Sequence, residues 1–104
     1  MQTYAILRRR GWRTPEELEA AAMRSRQVGD EQMPDAVRWI RSYALAEEDG
    51  TVGTFCIYQA TDAEAIRRHA KIADLPVDEI VPVADTVSVR PDPEPAVVGR
   101  EGTS

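Results

Sequence analysis

The chain has 104 residues, a formal net charge of −5, 42% apolar residues and 30% charged ones. That composition suits one small domain with one core and leaves no length for a second, and its acidic balance argues against general binding to nucleic acid or to an anionic membrane. The lone cysteine cannot close an internal disulfide, no apolar run approaches a membrane span, and the opening MQTYAILRRR lacks a signal-peptide core. A cytoplasmic protein is therefore expected.

In chain order, Thr3 to Arg8 reads as a strand with apolar residues on both faces, which suggests a central position. The run Arg8-Arg9-Arg10-Gly11-Trp12 is expected to leave the sheet at the glycine. Thr14-Pro15-Glu16-Glu17 carries the marks of a helix start: a capping threonine, a proline at the first helical position and an acid three residues after the cap. The helix should run to about Val28 and stop at Gly29, with Leu18, Ala21, Ala22, Ser25 and Val28 on its inner stripe.

Ala36 to Ala60 reads as two strands joined at Asp49-Gly50, a dipeptide suited to a tight turn. A two-residue loop pairs Tyr43 with Cys56, Arg41 with Tyr58 and Trp39 with Ala60, and puts these side chains on one face. Ile40, Ser42, Ala44, Phe55 and Ile57 then share the other. Thr61-Asp62-Ala63-Glu64 is a second capping-box sequence, opening a helix that runs to about Ala73 and turns Ala63, Ile66, Ala70 and Ala73 inward. Ile80 to Val89 is the last strand, and Pro82 argues for an edge. Residues 1–89 are expected to form the domain, and the proline-rich stretch 90–104 a disordered or loosely draped tail.

The order strand, helix, strand, strand, helix, strand implies an α+β, ferredoxin-like βαββαβ sandwich, an antiparallel four-stranded sheet with both helices on one face. A bare face carrying Trp39, Arg41, Tyr43 and Tyr58 is too apolar to leave wet, so a homodimer through the non-helix face is expected.

Chemistry is sparse. His69, the only histidine, reads either as a boundary residue near a helix end or as a metal ligand or proton-transfer group. Cys56 reads either as a small buried hydrophobe or as a soft metal ligand or reactive thiol. There is no phosphate loop, no nucleophile with a second histidine and no Cys-x-x-Cys, so catalytic apparatus is not evident. An alternative is a dimeric α+β barrel enzyme of the cofactor-free monooxygenase type, with Trp39, Arg41, Tyr43 and Tyr58 around its pocket. A plain dimerisation or regulatory module is another.

Several segments together resemble a family of small bacterial ferredoxin-like proteins that includes a nickel-binding, nickel-responsive protein. They are Thr14-Pro15-Glu16-Glu17-Leu18, Trp39-Ile40-Arg41-Ser42-Tyr43, Cys56-Ile57-Tyr58-Gln59-Ala60, and Glu64-Ala65-Ile66-Arg67-Arg68-His69-Ala70 leading to Leu75-Pro76. The resemblance implies a dimer that binds nickel or another divalent transition metal. Its first candidate ligands are Cys56 and His69, supported by Tyr43 and Ser42. With Cys56 on the bare face and His69 on the helix side, one metal would join them only around a sheet end or edge, or across the dimer.

Overall fold

A computed structural model describes residues 1–91; residues 92–104, which hold nearly all of the expected tail, lie outside the described residues. The elements run β1 (Gln2–Trp12), α1 (Pro15–Gln27), a π-helical turn (Val28–Gln32), β2 (Val37–Ala46), β3 (Val52–Ala60), α2 (Ala63–Ala73) and β4 (Glu79–Pro82). The sheet order is β2-β3-β1-β4 and all its pairings are antiparallel. This is the ferredoxin-like α+β arrangement. β1 and β3 are central, and β4 with Pro82 is an edge, where a residue lacking an N–H costs the ladder nothing.

One face of the sheet carries the core. Tyr4, Ile6 and Arg8 of β1 stand opposite Tyr58, Cys56 and Thr54 of β3, and all six are buried. α1 and α2 cover them through Ala21, Ser25, Ile66 and His69. α1 begins as its sequence requires: the Thr14 hydroxyl accepts from the Glu17 N–H at 3.1 Å, and the Glu17 carboxylate accepts from the Arg13 N–H at 2.9 Å. α2 is capped by Asp62, whose carboxylate accepts from the Ala65 N–H at 2.8 Å, and not by Thr61.

Four further features depart from the sequence reading. First, Gly29 does not end α1. The chain continues through the π turn, closed by Met33 N–H donating to the Val28 carbonyl at 3.1 Å. Second, the last strand stops at Pro82 instead of reaching Val89; the segment beyond it passes along the far face of the sheet, where Val83, Val87 and Val89 rim a groove with Tyr43, Phe55 and Ile57.

Third, β1 does not leave the sheet at Gly11. It bulges between Arg8, opposite Thr54, and Trp12, opposite Val52, with Arg10 at a left-handed φ of 50°. Glu47 holds the bulge: its carboxylate pairs with the Arg9 guanidinium at 2.7 Å and accepts from the Arg10 N–H at 2.9 Å. Those bonds, the one to Arg9 foremost, hold the Glu47 carboxyl down at about 2, against an ordinary value of 4.5. A depressed carboxyl contributes stability that is fully present above pH 4.5 and is lost as pH falls through about 2. Glu47→Gln should therefore lower the melting temperature at pH 7 and weaken its fall on acidification. Melting curves of both proteins between pH 7 and pH 2 check this; parallel curves would contradict it.

Fourth, the hairpin register differs. The turn is not centred on a two-residue Asp49-Gly50 loop. Gly50 N–H donates to the Glu47 carbonyl at 3.1 Å, Gly50 takes a φ of 87°, and the strands resume at Ala46 opposite Val52. That one-residue difference sets Tyr43 opposite Phe55 and Ser42 opposite Cys56, and so turns every β3 side chain to the other face. An irregularity at Ile40 between Trp39 and Arg41 then brings Trp39 opposite Tyr58.

Candidate functional site

The register decides what the site contains. Cys56 and Tyr58 lie under the helices, not on the bare face, and Trp39 and Ser42 share their side at the β2 edge. Arg41 and Tyr43 remain on the opposite face with Phe55 and Ile57, where the Arg41 guanidinium donates to the Tyr43 hydroxyl at 3.3 Å. The residues expected around one pocket on the non-helix face are thus divided between the two sides.

On the helix side Tyr58 is the hub. Its ring stacks on Trp39 with centroids 6.1 Å apart and planes 11° from parallel, and leans on the His69 ring at 5.6 Å and 60°. Its hydroxyl shares a 2.7 Å hydrogen bond with the Ser25 hydroxyl. Burial pushes the Tyr58 phenol up from its ordinary value, against the opposing pull of the Ser25 bond and the Arg8 charge, so the phenol keeps its proton at neutral pH. The Trp39 indole N–H donates to the Ser42 hydroxyl at 2.7 Å and so occupies one of that oxygen's lone pairs.

His69 is not a boundary residue: it is 1% exposed. It sits over Gly29, where an added Cβ would lie 3.7 Å from Nε2, an ordinary contact distance. Its Nε2–H donates to the Ser25 carbonyl at 2.9 Å, which leaves Nδ1 buried and without a partner. Burial lowers the imidazole's pKa, with the Ser25 carbonyl opposing and the Arg8 charge adding to the shift. The ring is therefore neutral at pH 7, with its free lone pair on Nδ1.

That is how a ligating imidazole is usually held, its second nitrogen donating to a backbone carbonyl. The other donors are not assembled around it. Among the described residues no three His, Cys, Asp or Glu side chains form a group able to hold a metal ion. His69 and the buried Cys56 now share one side of the sheet, Ser42 stands opposite Cys56, and Tyr43 faces away.

Sequence reasoning passed over Arg8, Thr54 and Trp12, which with Trp39, Tyr58 and Cys56 line a cavity of about 200 Å3 between α1 and the sheet. Arg8 is 2% exposed; its Nη1 donates to the Pro76 carbonyl at 2.7 Å, while Nη2 and the Thr54 hydroxyl have no partner. The signal was present in β1, where Tyr4, Ile6 and Arg8 alternate onto one face. The eye is drawn instead to Arg8-Arg9-Arg10 as a basic run.

None of the described helices is long and apolar enough to cross a membrane. The sequence pattern of the family described as "Nickel responsive protein SCO4226-like" matches residues 4–83. The crystal structure of SCO4226 from Streptomyces coelicolor A3(2) superposes with a TM-score of 0.65 at 20% identity, over 82% of this chain and 99% of that one. A comparison with curated proteins gives no match.

Proposed function

Since the chain belongs to the SCO4226-like family of nickel responsive proteins, we propose that it is a homodimeric nickel-binding protein, with His69 as its best-prepared donor. The observation that carries this reading is the family match across residues 4–83. The unpartnered Nδ1 of His69, its ring fixed through Ser25, supports it from the geometry. Imidazole and thiolate both suit nickel, which makes Cys56 the second donor of choice on that side of the sheet.

The homodimer rests on the opposite face. There Ile40, Tyr43, Phe55 and Val81 are between 38% and 47% exposed, an apolar surface that a second copy would cover. Donors on the helix side and a dimer surface on the other leave each chain its own metal, with water or other small ligands filling the remaining positions. The expected stoichiometry is therefore one nickel per chain.

Calorimetric titration of purified protein with nickel tests this. Wild type should bind about one equivalent, and His69→Ala should weaken binding by about tenfold or more, with a smaller loss for Cys56→Ala. Wild type that binds no nickel, or a His69→Ala variant that binds as wild type does, would overturn the reading.

A further inference from the structure

The cavity between α1 and the sheet has a feature the nickel reading does not use. Arg8 is a buried guanidinium with no carboxylate partner among the described residues; the Pro76 carbonyl engages only one of its terminal nitrogens. A buried charge is costly unless something compensates it. Directly across the β1–β3 pair stands Thr54, 5% exposed, with a hydroxyl that also lacks a partner. Both residues line the same cavity, and Arg8 is the only charged one among the described residues that do. Two adjacent strands therefore aim unused hydrogen-bonding groups, one of them cationic, into one space.

The rest of the lining is mostly apolar and aromatic; its other hydroxyls, Ser25 and Ser42, are engaged by Tyr58 and Trp39. Trp12, Leu18, Trp39, Tyr58 and Leu75 form the cavity's walls. Its volume, about 200 Å3, exceeds the roughly 150 Å3 of an apolar cavity that takes up benzene, and the excess is enough for one small polar group. An apolar occupant would leave Arg8 Nη2 and the Thr54 hydroxyl unpaired, and water would leave the charge unbalanced. A dianion would bring one more charge than the cavity can match, because Tyr58 holds its proton and no second cation among the described residues lines the wall.

We propose that this cavity binds a small monocarboxylate with a flat aromatic body, its carboxylate held by Arg8 Nη2 and Thr54 Oγ1 and its ring against Trp12 and the cavity side of the Trp39–Tyr58 stack. The carboxylate accepts charge-assisted hydrogen bonds from the guanidinium and a neutral one from the threonine hydroxyl. His69 is not among the cavity's lining residues, although Cys56 is, and the carboxylate's partners are Arg8 and Thr54 alone, so binding needs no nickel.

Benzoate is the probe, titrated in the presence of a metal chelator, with benzamide as its neutral counterpart. Both tryptophans of the chain line the cavity, so their fluorescence reports occupancy directly. Benzoate should change it saturably and raise the melting temperature, and benzamide should bind at least about tenfold more weakly, as expected for losing a charge-assisted bond. Arg8→Met should weaken benzoate by a similar factor. Thr54→Val, nearly the same shape, should weaken it by about threefold or more and leave the fold intact. If Arg8→Met fails to fold, the Thr54→Val variant and the benzoate–benzamide comparison decide. No saturable response to benzoate, equal binding of benzamide, or wild-type benzoate binding by Thr54→Val or a folded Arg8→Met would overturn the proposal.

Discussion

Gly53→Ala should destabilise the fold by about 3 kcal/mol or more, the upper range for forcing extra atoms into packed structure. An added Cβ would lie 2.5 Å from a Glu47 carboxylate oxygen, 2.6 Å from the Arg8 carbonyl oxygen and 3.2 Å from the Arg10 nitrogen. Two of those atoms are backbone of the β1 bulge, and the third is the carboxylate that holds the bulge in place. Relief therefore requires moving β1 or expelling Glu47 from Arg9 and Arg10. For a domain of this size the loss corresponds to a fall in melting temperature of more than about 10 °C. Gly50→Ala provides the control. Gly50 has a φ of 87° and an added Cβ there would meet nothing within 4 Å, so only left-handed strain of about 1 kcal/mol is expected. Thermal melts of the two variants side by side distinguish a steric requirement from a conformational one; equal losses would contradict the close approach at Gly53.

Phe55→Glu should convert the proposed dimer to a monomer without unfolding the chain. Phe55 stands opposite Tyr43 on the non-helix face and is 38% exposed, so a charge there stays in reach of water in the isolated chain. In a two-fold assembly every substitution acts twice, and two carboxylates would be buried in one surface. Losing an aromatic anchor alone is commonly worth about 2 kcal/mol, or roughly thirtyfold in affinity. Analytical ultracentrifugation should show wild type as a dimer and Phe55→Glu at half its mass. Cys56→Ser, beneath the helices on the other side, should leave the mass unchanged. A Phe55→Glu protein that sediments as wild type would rule this face out as the dimer surface.

The element order was legible because each element carries its own punctuation. Thr14-Pro15 opens α1, Asp62 opens α2, and Pro82 marks an edge strand; these are local signals, and the fold follows from their order. The sides of the sheet were much less legible, because two small events set them. The turn settles on Glu47–Gly50 because Asp49 takes the Thr51 N–H and hydroxyl and Glu47 is drawn to the β1 bulge, some 37 residues away in sequence. The irregularity at Ile40 then turns Trp39 back beside Tyr58. A strand's side-chain period is two, so a single-residue error in the turn moved Cys56 and Tyr58 to the wrong face.

The same slip created an apparent obstacle between Cys56 and His69, which vanishes once both lie under the helices. His69 itself was misplaced by helical geometry alone. Its position near a helix end suggests a boundary residue, but the π turn after α1 and the small Gly29 let the imidazole settle fully into the core. Arg8 shows the opposite limit: alternation alone puts it inside, and only the habit of reading arginines as surface residues hides it.

The mass of the native assembly, measured by electrospray with and without added nickel, is the most direct test of a nickel-binding homodimer. A dimer is expected in both conditions, gaining one nickel ion per chain, and losing that gain in His69→Ala while remaining a dimer. A monomer in both conditions, or an assembly that takes up no nickel, would contradict it.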